Sequence, residues 1–397
     1  MINMVYPSDY ENKTGFDRIR AQVRGKCTTD GGRALLDGEG FSASAGEIAH
    51  RLSLCSELQE ILMLESGFPL QEYTDIGPVA RKIEVACTFL DIEDMIALRA
   101  GLGAVNEITV FLAAKEEGRY PVLRGLAQGV ESFPEITGHI DTILDRYGKI
   151  KDSASPELYT IRRTIRDREG QVSKRLQAIL SKAQKDGYAD ADAAVSIRDG
   201  RAVIPVSAAN KRKINGFIHD ESATGKTFYI EPVEIVEINN ELKELEYAER
   251  REVVRILTAF TDRIRPDAPG IARAGEYLAC MDMIRAKARW AAENECVKPV
   301  LSEEGTLWLR SARHPLLRQT LAREGKQVVP LDLKLDRGRR MLVISGPNAG
   351  GKSVCLKTVG LLQYMFQCGF PVPVLENSEF PVFDGIFIDI GDEQSID

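Results

Sequence analysis

Paired cysteines, clustered histidines and unbroken apolar runs are what this chain of 397 residues lacks. Its seven cysteines (Cys27, Cys55, Cys87, Cys280, Cys296, Cys355 and Cys368) are odd in number, scattered, and never spaced C-x-x-C. That excludes a disulfide framework and a cysteine zinc site, and points to reduced, mostly buried thiols of a cytoplasmic protein. His50, His139, His219 and His314 are equally dispersed, so no metal cluster is indicated. No run approaches the roughly 18 uninterrupted apolar residues of a membrane span. The opening stretch, MINMVYPSDYENKTGFDR, has no basic segment followed by an apolar one and so lacks the form of a secretory signal. Positive charge is not in excess either: the net charge is −7 and the pI about 5.5. A polyanionic partner would therefore have to meet a local basic patch. What remains is an ordinary soluble balance, 44% hydrophobic and 28% charged, with room for two or three domains.

The first 150 residues read as helical scaffold, with apolar spacing such as Ile48, Leu52, Leu54, Leu58, Ile61 and Leu62 and Gly/Pro breaks at Gly67–Pro69, Gly77-Pro78 and Phe133-Pro134. From Pro156, Leu158, Ile161, Ile165, Val172, Leu176 and Ile179 advance in steps of three, four and seven, which predicts a long amphipathic helix with a narrow seam. A second is predicted from about Val233 to Arg265, on Ile238, Leu242, Leu245, Val253, Ile256, Phe260 and Ile264. The segment between them has β character at Ala202–Val206, Gly216–His219 and Lys226–Ile230, with turn chemistry at Asp199-Gly200 and Thr224-Gly225. A small β module on a pair of antiparallel helices is the simplest reading. After Pro299 the pattern turns α/β: strands at Thr306–Leu309, Met341–Ser345 and Gly385–Ile390, and a helix over Val354–Cys368 closed by Gly369 and Pro371.

Between the Met341–Ser345 run and that helix stands Gly346-Pro347-Asn348-Ala349-Gly350-Gly351-Lys352-Ser353, a full match to G-x-x-x-x-G-K-[ST]. The glycines let backbone N–H groups curl round phosphate oxygens at the positive end of the helix dipole. Lys352 would reach the β- and γ-phosphates of ATP or ADP, and Ser353 would hold Mg²⁺. A second G-K-T, at Gly225-Lys226-Thr227, has Asp220 where the first glycine is needed and lies between strand-like runs, so it reads as a hairpin tip.

RMLVISGPNAGGKS (Arg340–Ser353), with ARHPLL (Ala312–Leu317) upstream, resembles the ATPase domain of the MutS family. RDGRAVIPV (Arg198–Val206), HDESATGKTFYIEP (His219–Pro232) and DIGDEQSI (Asp389–Ile396) are similar to the second bacterial paralogue subfamily, "MutS-two". The resemblance covers essentially the whole chain. It implies a mixed fold: an all-α core with long antiparallel lever helices carrying a small β clamp, then a truncated α/β P-loop domain of ABC type. In residues it implies a helical core and first lever helix at 1–190, a clamp at 191–232, a second lever helix returning to the core at 233–297, and a partial ATPase domain at 298–397. It also implies homodimerisation, with branched or duplex DNA enclosed between clamps, and places Gln394 in a Q-loop-like position near the γ-phosphate. On the family pattern the Walker B carboxylates, and any carboxy-terminal nuclease domain, would follow residue 397. No catalytic residue is therefore expected in this amino-terminal part. Ile386-Phe387-Ile388-Asp389 has the Walker B form, but Asp389 lies only 37 residues after Lys352 (389 − 352) and is read as part of the next strand.

Lys211-Arg212-Lys213 lies in the β module with Arg198, Arg201 and Lys226; from 196 to 232 six basic residues face four acidic ones, a local +2 in a chain of −7. Alone, a short basic run of this kind is more often a solvated surface loop than a binding patch. With the clamp resemblance, phosphate contact becomes the expectation. His314, before Pro315, reads as structural, and Val328-Val329 fits an adenine contact or an ordinary core strand equally. Three functions compete: a nucleic-acid clamp acting on recombination structures, an ATPase directed at ribosomes or structured RNA, and an architectural protein of the SMC type, for which the helices are too short.

Overall fold

A computed structural model describes residues 4–347 and 351–390. Helix dominates and the sheets are small, so the fold is a mixed α and β one, as expected. Close packing divides it into two units. One comprises residues up to Val85, Asp94–Thr137 and Pro266 onward; the other comprises Ala86–Glu93 and Gly138–Arg265.

The first unit is built round helix Ala268–Glu293, which is rich in alanine and buried on nearly every side, Ile271, Ala274, Leu278, Met281, Ala288 and Trp290 included. Helices Phe16–Arg24, Asp30–Gly38, Ala45–Leu64 and Gly77–Glu84 pack on it. Small residues permit close approach: a Cβ on Gly31 would sit 2.8 Å from the Ala279 methyl. Two charges are fully enclosed there. The Asp282 carboxylate accepts from the backbone N–H groups of Thr28 and Thr29, both at 2.8 Å, and pairs with Arg285 at 2.7 Å. Buried charges survive only when so satisfied. Helix Ile92–Ala113 is long and apolar enough, by length and composition, to cross a membrane. Its Met95, Leu98, Leu102, Val105, Ile108 and Leu112 are buried at helical spacing, the pattern of a core helix.

The rest of this unit is α/β. A four-stranded sheet runs in the order Val300–Leu301, Glu379–Phe380, Leu307–Ala312, Leu331–Leu335. The short strand Gly385–Phe387 pairs in parallel with Met4–Tyr6, the first described residues, in the register Val5 to Ile386. One expectation is corrected. Met341–Ser345 is not a strand, and its side chains lie open, Met341 at 89% and Val343 at 87% exposure. An apolar run becomes a strand only when a neighbour takes up its backbone groups, and among the described residues none pairs with this one. Gly385–Ile390 likewise shortens to Gly385–Phe387.

In the second unit, helices Pro156–Lys185 and Val233–Ile264 have 30 and 32 residues, lengths of about 45 and 48 Å at 1.5 Å per residue. Ser155 caps the first by accepting from Leu158 N–H, with Pro156 in the first turn. Their contacts run in opposite senses: Ser155 with Glu252, Arg162 with Glu249, Arg168 with Glu241, Arg175 with the Glu234 carbonyl. The pair is antiparallel. A four-stranded antiparallel sheet joins them in the order Ser196–Arg198, Arg201–Ser207, Thr227–Pro232, Gly216–Glu221. Asp199 and Gly200 both have positive φ, 49° and 70°, as a two-residue hairpin turn requires. One face of the sheet buries Ile204, Val206 and Ile230 against Val172, Leu176, Leu180 and Ala183 of the first helix and Ile235 and Ile238 of the second. The sheet thus lies along the last turns of the first helix and the first turns of the second instead of only beyond their end.

Candidate nucleotide and nucleic-acid sites

The phosphate-loop motif sits where a helix begins. Gly351 is left-handed at φ 80° and caps helix Lys352–Gln367; Gly346 is at φ 149°. Asn348, Ala349 and Gly350 lie outside the described residues, as does Gln394. The Lys352 ammonium donates to the Gly346 carbonyl at 2.5 Å, so the amine bends back over the loop it belongs to. Lys352 and Ser353 are half-buried, whereas Lys357, Thr358 and Leu361–Gln367 are buried. The helix therefore offers its first turn to solvent and anchors the rest.

The anchoring is specific. Tyr10 Oη donates to the Gly360 carbonyl at 3.1 Å, and a Cβ on Gly360 would meet that hydroxyl at 2.9 Å. Tyr364 Oη donates to Glu11 at 2.8 Å, and burial pushes its pKa well up. Gln367 donates to the carbonyls of Ser42 and Phe383, and Gln363 to that of Pro381. A cavity of ≈ 280 Å³ lined by Tyr10, Leu356, Val359, Phe383, Ile386 and Ile388 lies against this helix; its walls are apolar and suit no phosphate.

His314 caps helix Pro315–Arg323, its Nδ1 accepting from Leu317 N–H at 3.4 Å. It is 2% exposed, and burial, aided by Lys357 and Arg18, lowers its pKa to about 4. A neutral, enclosed imidazole on a helix end is a structural group. Val329 is 87% exposed and belongs to no strand. The thiols are free: burial raises Cys27, Cys55 and Cys368 to about 12 and Cys280 to about 11, which keeps them protonated and unreactive.

The six basic residues of the β module fall into two groups. Arg201 binds both oxygens of Glu231, at 2.8 and 3.0 Å, and Asn240 at 2.8 Å. Glu231 is 1% exposed and also accepts from Asn239 at 2.7 Å and meets His219 at 2.5 Å. Arg198 pairs with Asp220 at 3.1 Å and lies over the Tyr229 ring. Those two cations are engaged within the sheet. Lys211 lies over Phe228, while Arg212, Lys213 and Lys226 are exposed; the Ala208 N–H bond to the Lys226 carbonyl, 2.8 Å, brings the two turns that carry them together. Sequence reasoning missed the Glu231 network, since a single glutamate in a strand carries no sign that partners 12 and 30 residues away converge on it.

Over 384 residues, 96% of this chain, the sequence is 34% identical to the endonuclease MutS2 of a Geobacillus species, and over 382 residues 35% identical to that of Alkaliphilus metalliredigens. Across nearly its whole length the chain is similar to these MutS2 endonucleases. The Streptococcus thermophilus MutS2 endonuclease matches at 34% over the same 96%. The chain spans about half the length of these curated MutS2 relatives, 47–48%. No protein-family model matches it.

Proposed function

We propose that this chain is the nucleotide-binding and clamp-bearing part of an ATP-dependent nucleic-acid clamp. The observation that carries the reading is the full phosphate-loop motif at the solvent-facing first turn of a firmly anchored helix. Lys352 and the loop's backbone N–H groups hold the β- and γ-phosphates of ATP or ADP, Ser353 takes Mg²⁺, and Gln394, outside the described residues, is the Q-loop candidate for the γ-phosphate. The residues fit that role: both described loop glycines adopt φ values that favour glycine, and the lysine amine is already over the loop. Bound Mg²⁺ neutralises phosphate charge, which lysine alone does incompletely.

On the same reading residues 1–190 are the helical core and first lever helix, 191–232 the clamp, 233–297 the second lever helix and return, and 298–397 part of an ABC-type ATPase domain. The clamp meets phosphates through Lys211, Arg212, Lys213 and Lys226, while Arg198 and Arg201 stiffen the sheet beneath them. A whole protein of MutS2 length is then a cytoplasmic homodimer that hydrolyses ATP while enclosing branched or duplex DNA. Nuclease activity is named for the relatives and is proposed here only for such a whole protein. Ribosomal or structured RNA is the competing ligand, since phosphate contacts carry little identity. Helices of about 45–48 Å are short for an SMC-type arm.

Calorimetric titration with Mg-ATP, comparing the chain with Lys352→Ala, tests the nucleotide site. A large loss of affinity is expected, and equal affinity would overturn the assignment. Competition among branched DNA, duplex DNA and structured RNA then ranks the polyanion.

A further inference from the structure

We infer that the outward face of helix Pro156–Lys185 is a track for the phosphate backbone of a double-helical nucleic acid lying along the helix axis. The track runs on into the Lys211–Lys213 end of the sheet. The inference rests on the nucleic-acid reading above and deepens it by naming a second surface and the form of its ligand.

The two long helices differ in charge. Pro156–Lys185 carries eight basic and three acidic residues, a net +5; Val233–Ile264 carries five basic and eight acidic, a net −3. Part of the positive charge holds the pair together: Arg162 binds Asp152 and Glu249, Arg166 binds Asp152, Arg168 binds Glu241, and Arg175 donates to the Glu234 carbonyl. Arg163, Lys174 and Lys185 are exposed and take no such partner among the described residues. Their spacing is 11 and 11 residues, about three turns each, so at 3.6 residues per turn the three form one line. Each stands two residues from seam positions (Ile161 and Ile165, Val172 and Leu176, Ala183), which is roughly 200° round the helix and faces away from the seam. Exposed Gly170, Ala178 and Ser181 leave the line low between the cations; Asp167 is the acidic group on this face. Asn210 Nδ2 donates to the Gly187 carbonyl at 3.2 Å, which joins the Lys211–Lys213 turn to the end of the helix where Lys185 stands.

The spacing selects the ligand. Eleven residues rise about 16.5 Å and twenty-two about 33 Å. One turn of a B-form duplex is about 34 Å. A duplex alongside would offer Arg163 and Lys185 the same strand one turn apart, and Lys174, between them, the opposite strand across one of the two unequal grooves. A single strand has no such repeat.

The test is fluorescence anisotropy with a duplex DNA of about two turns, titrated across salt concentrations with the chain and three variants whose helicity is checked by circular dichroism. Each lost phosphate contact removes about 0.9 from the salt slope, so Arg163→Ala/Lys174→Ala/Lys185→Ala should lower it by roughly 2.7. Arg250→Ala/Arg251→Ala, exposed on the second helix, should leave it unchanged. With a duplex shorter than one turn the triple variant's deficit should shrink. An unchanged slope in that variant, with a lowered one in Lys211→Ala/Arg212→Ala/Lys213→Ala, overturns the track and leaves the clamp reading standing. A deficit as large in the Arg250/Arg251 control also overturns it, as a general charge effect. Absence of duplex binding by the unaltered chain overturns both.

Discussion

Replacing His314 by asparagine should abolish a pH dependence of stability whose sign and size come from the burial of the imidazole. An ordinary histidine titrates near 6.5. In the folded chain burial, with Lys357 and Arg18 nearby, lowers that value to about 4. The unfolded chain therefore takes up a proton between about pH 6.5 and 4 that the folded chain refuses, and stability falls as pH falls through that window. The slope is about 1.4 kcal/mol per pH unit, a total of about 3 kcal/mol. The contribution is fully present above pH 6.5. Asparagine keeps a side-chain acceptor for the cap and does not titrate. Urea unfolding of both proteins, followed by circular dichroism from pH 7.5 to 5, should show His314→Asn less stable at pH 7.5. The gap should close by about 2 kcal/mol on going from pH 6.5 to 5. A gap that stays constant would refute the picture of a neutral histidine locked on the helix end.

The buried charges give two further outcomes. Asp282→Ala strands Arg285 without a counter-ion in the interior and should cost about 3–5 kcal/mol, read as a lowered urea midpoint, whereas Asp282→Leu with Arg285→Met should cost less. Glu231→Gln should loosen the four-stranded sheet by about 2 kcal/mol, since Arg201 loses its charged partner; faster amide exchange over 196–232, with no change over Ala268–Glu293, is the expected readout.

The long helices were legible because apolar residues recur along them at helical spacing, in steps of three, four and seven in the first and of three, four and eight in the second. The strand Ser196–Arg198 was not, since three residues carry no period, yet the Asp199-Gly200 pair beside it announced the turn. Met4–Tyr6 was equally silent: its partner lies some 380 residues on, and only the folded chain brings them into register. Met341–Ser345 shows the opposite failure. Val343 and Ile344 have the strand propensity, but propensity cannot supply the ladder that makes a strand. At the phosphate loop, residue types were enough to name a chemistry. In the β module, composition counted six cations without telling which of them Glu231 and Asp220 would engage.

The central claim is that nucleotide phosphates sit at Gly346–Ser353, and amide hydrogen exchange with and without Mg-ATP tests it most directly. Protection should appear in peptides spanning the loop and the first turn of helix Lys352–Gln367, and vanish in Lys352→Ala. Protection elsewhere with none there, or the same protection in the variant, would contradict the account.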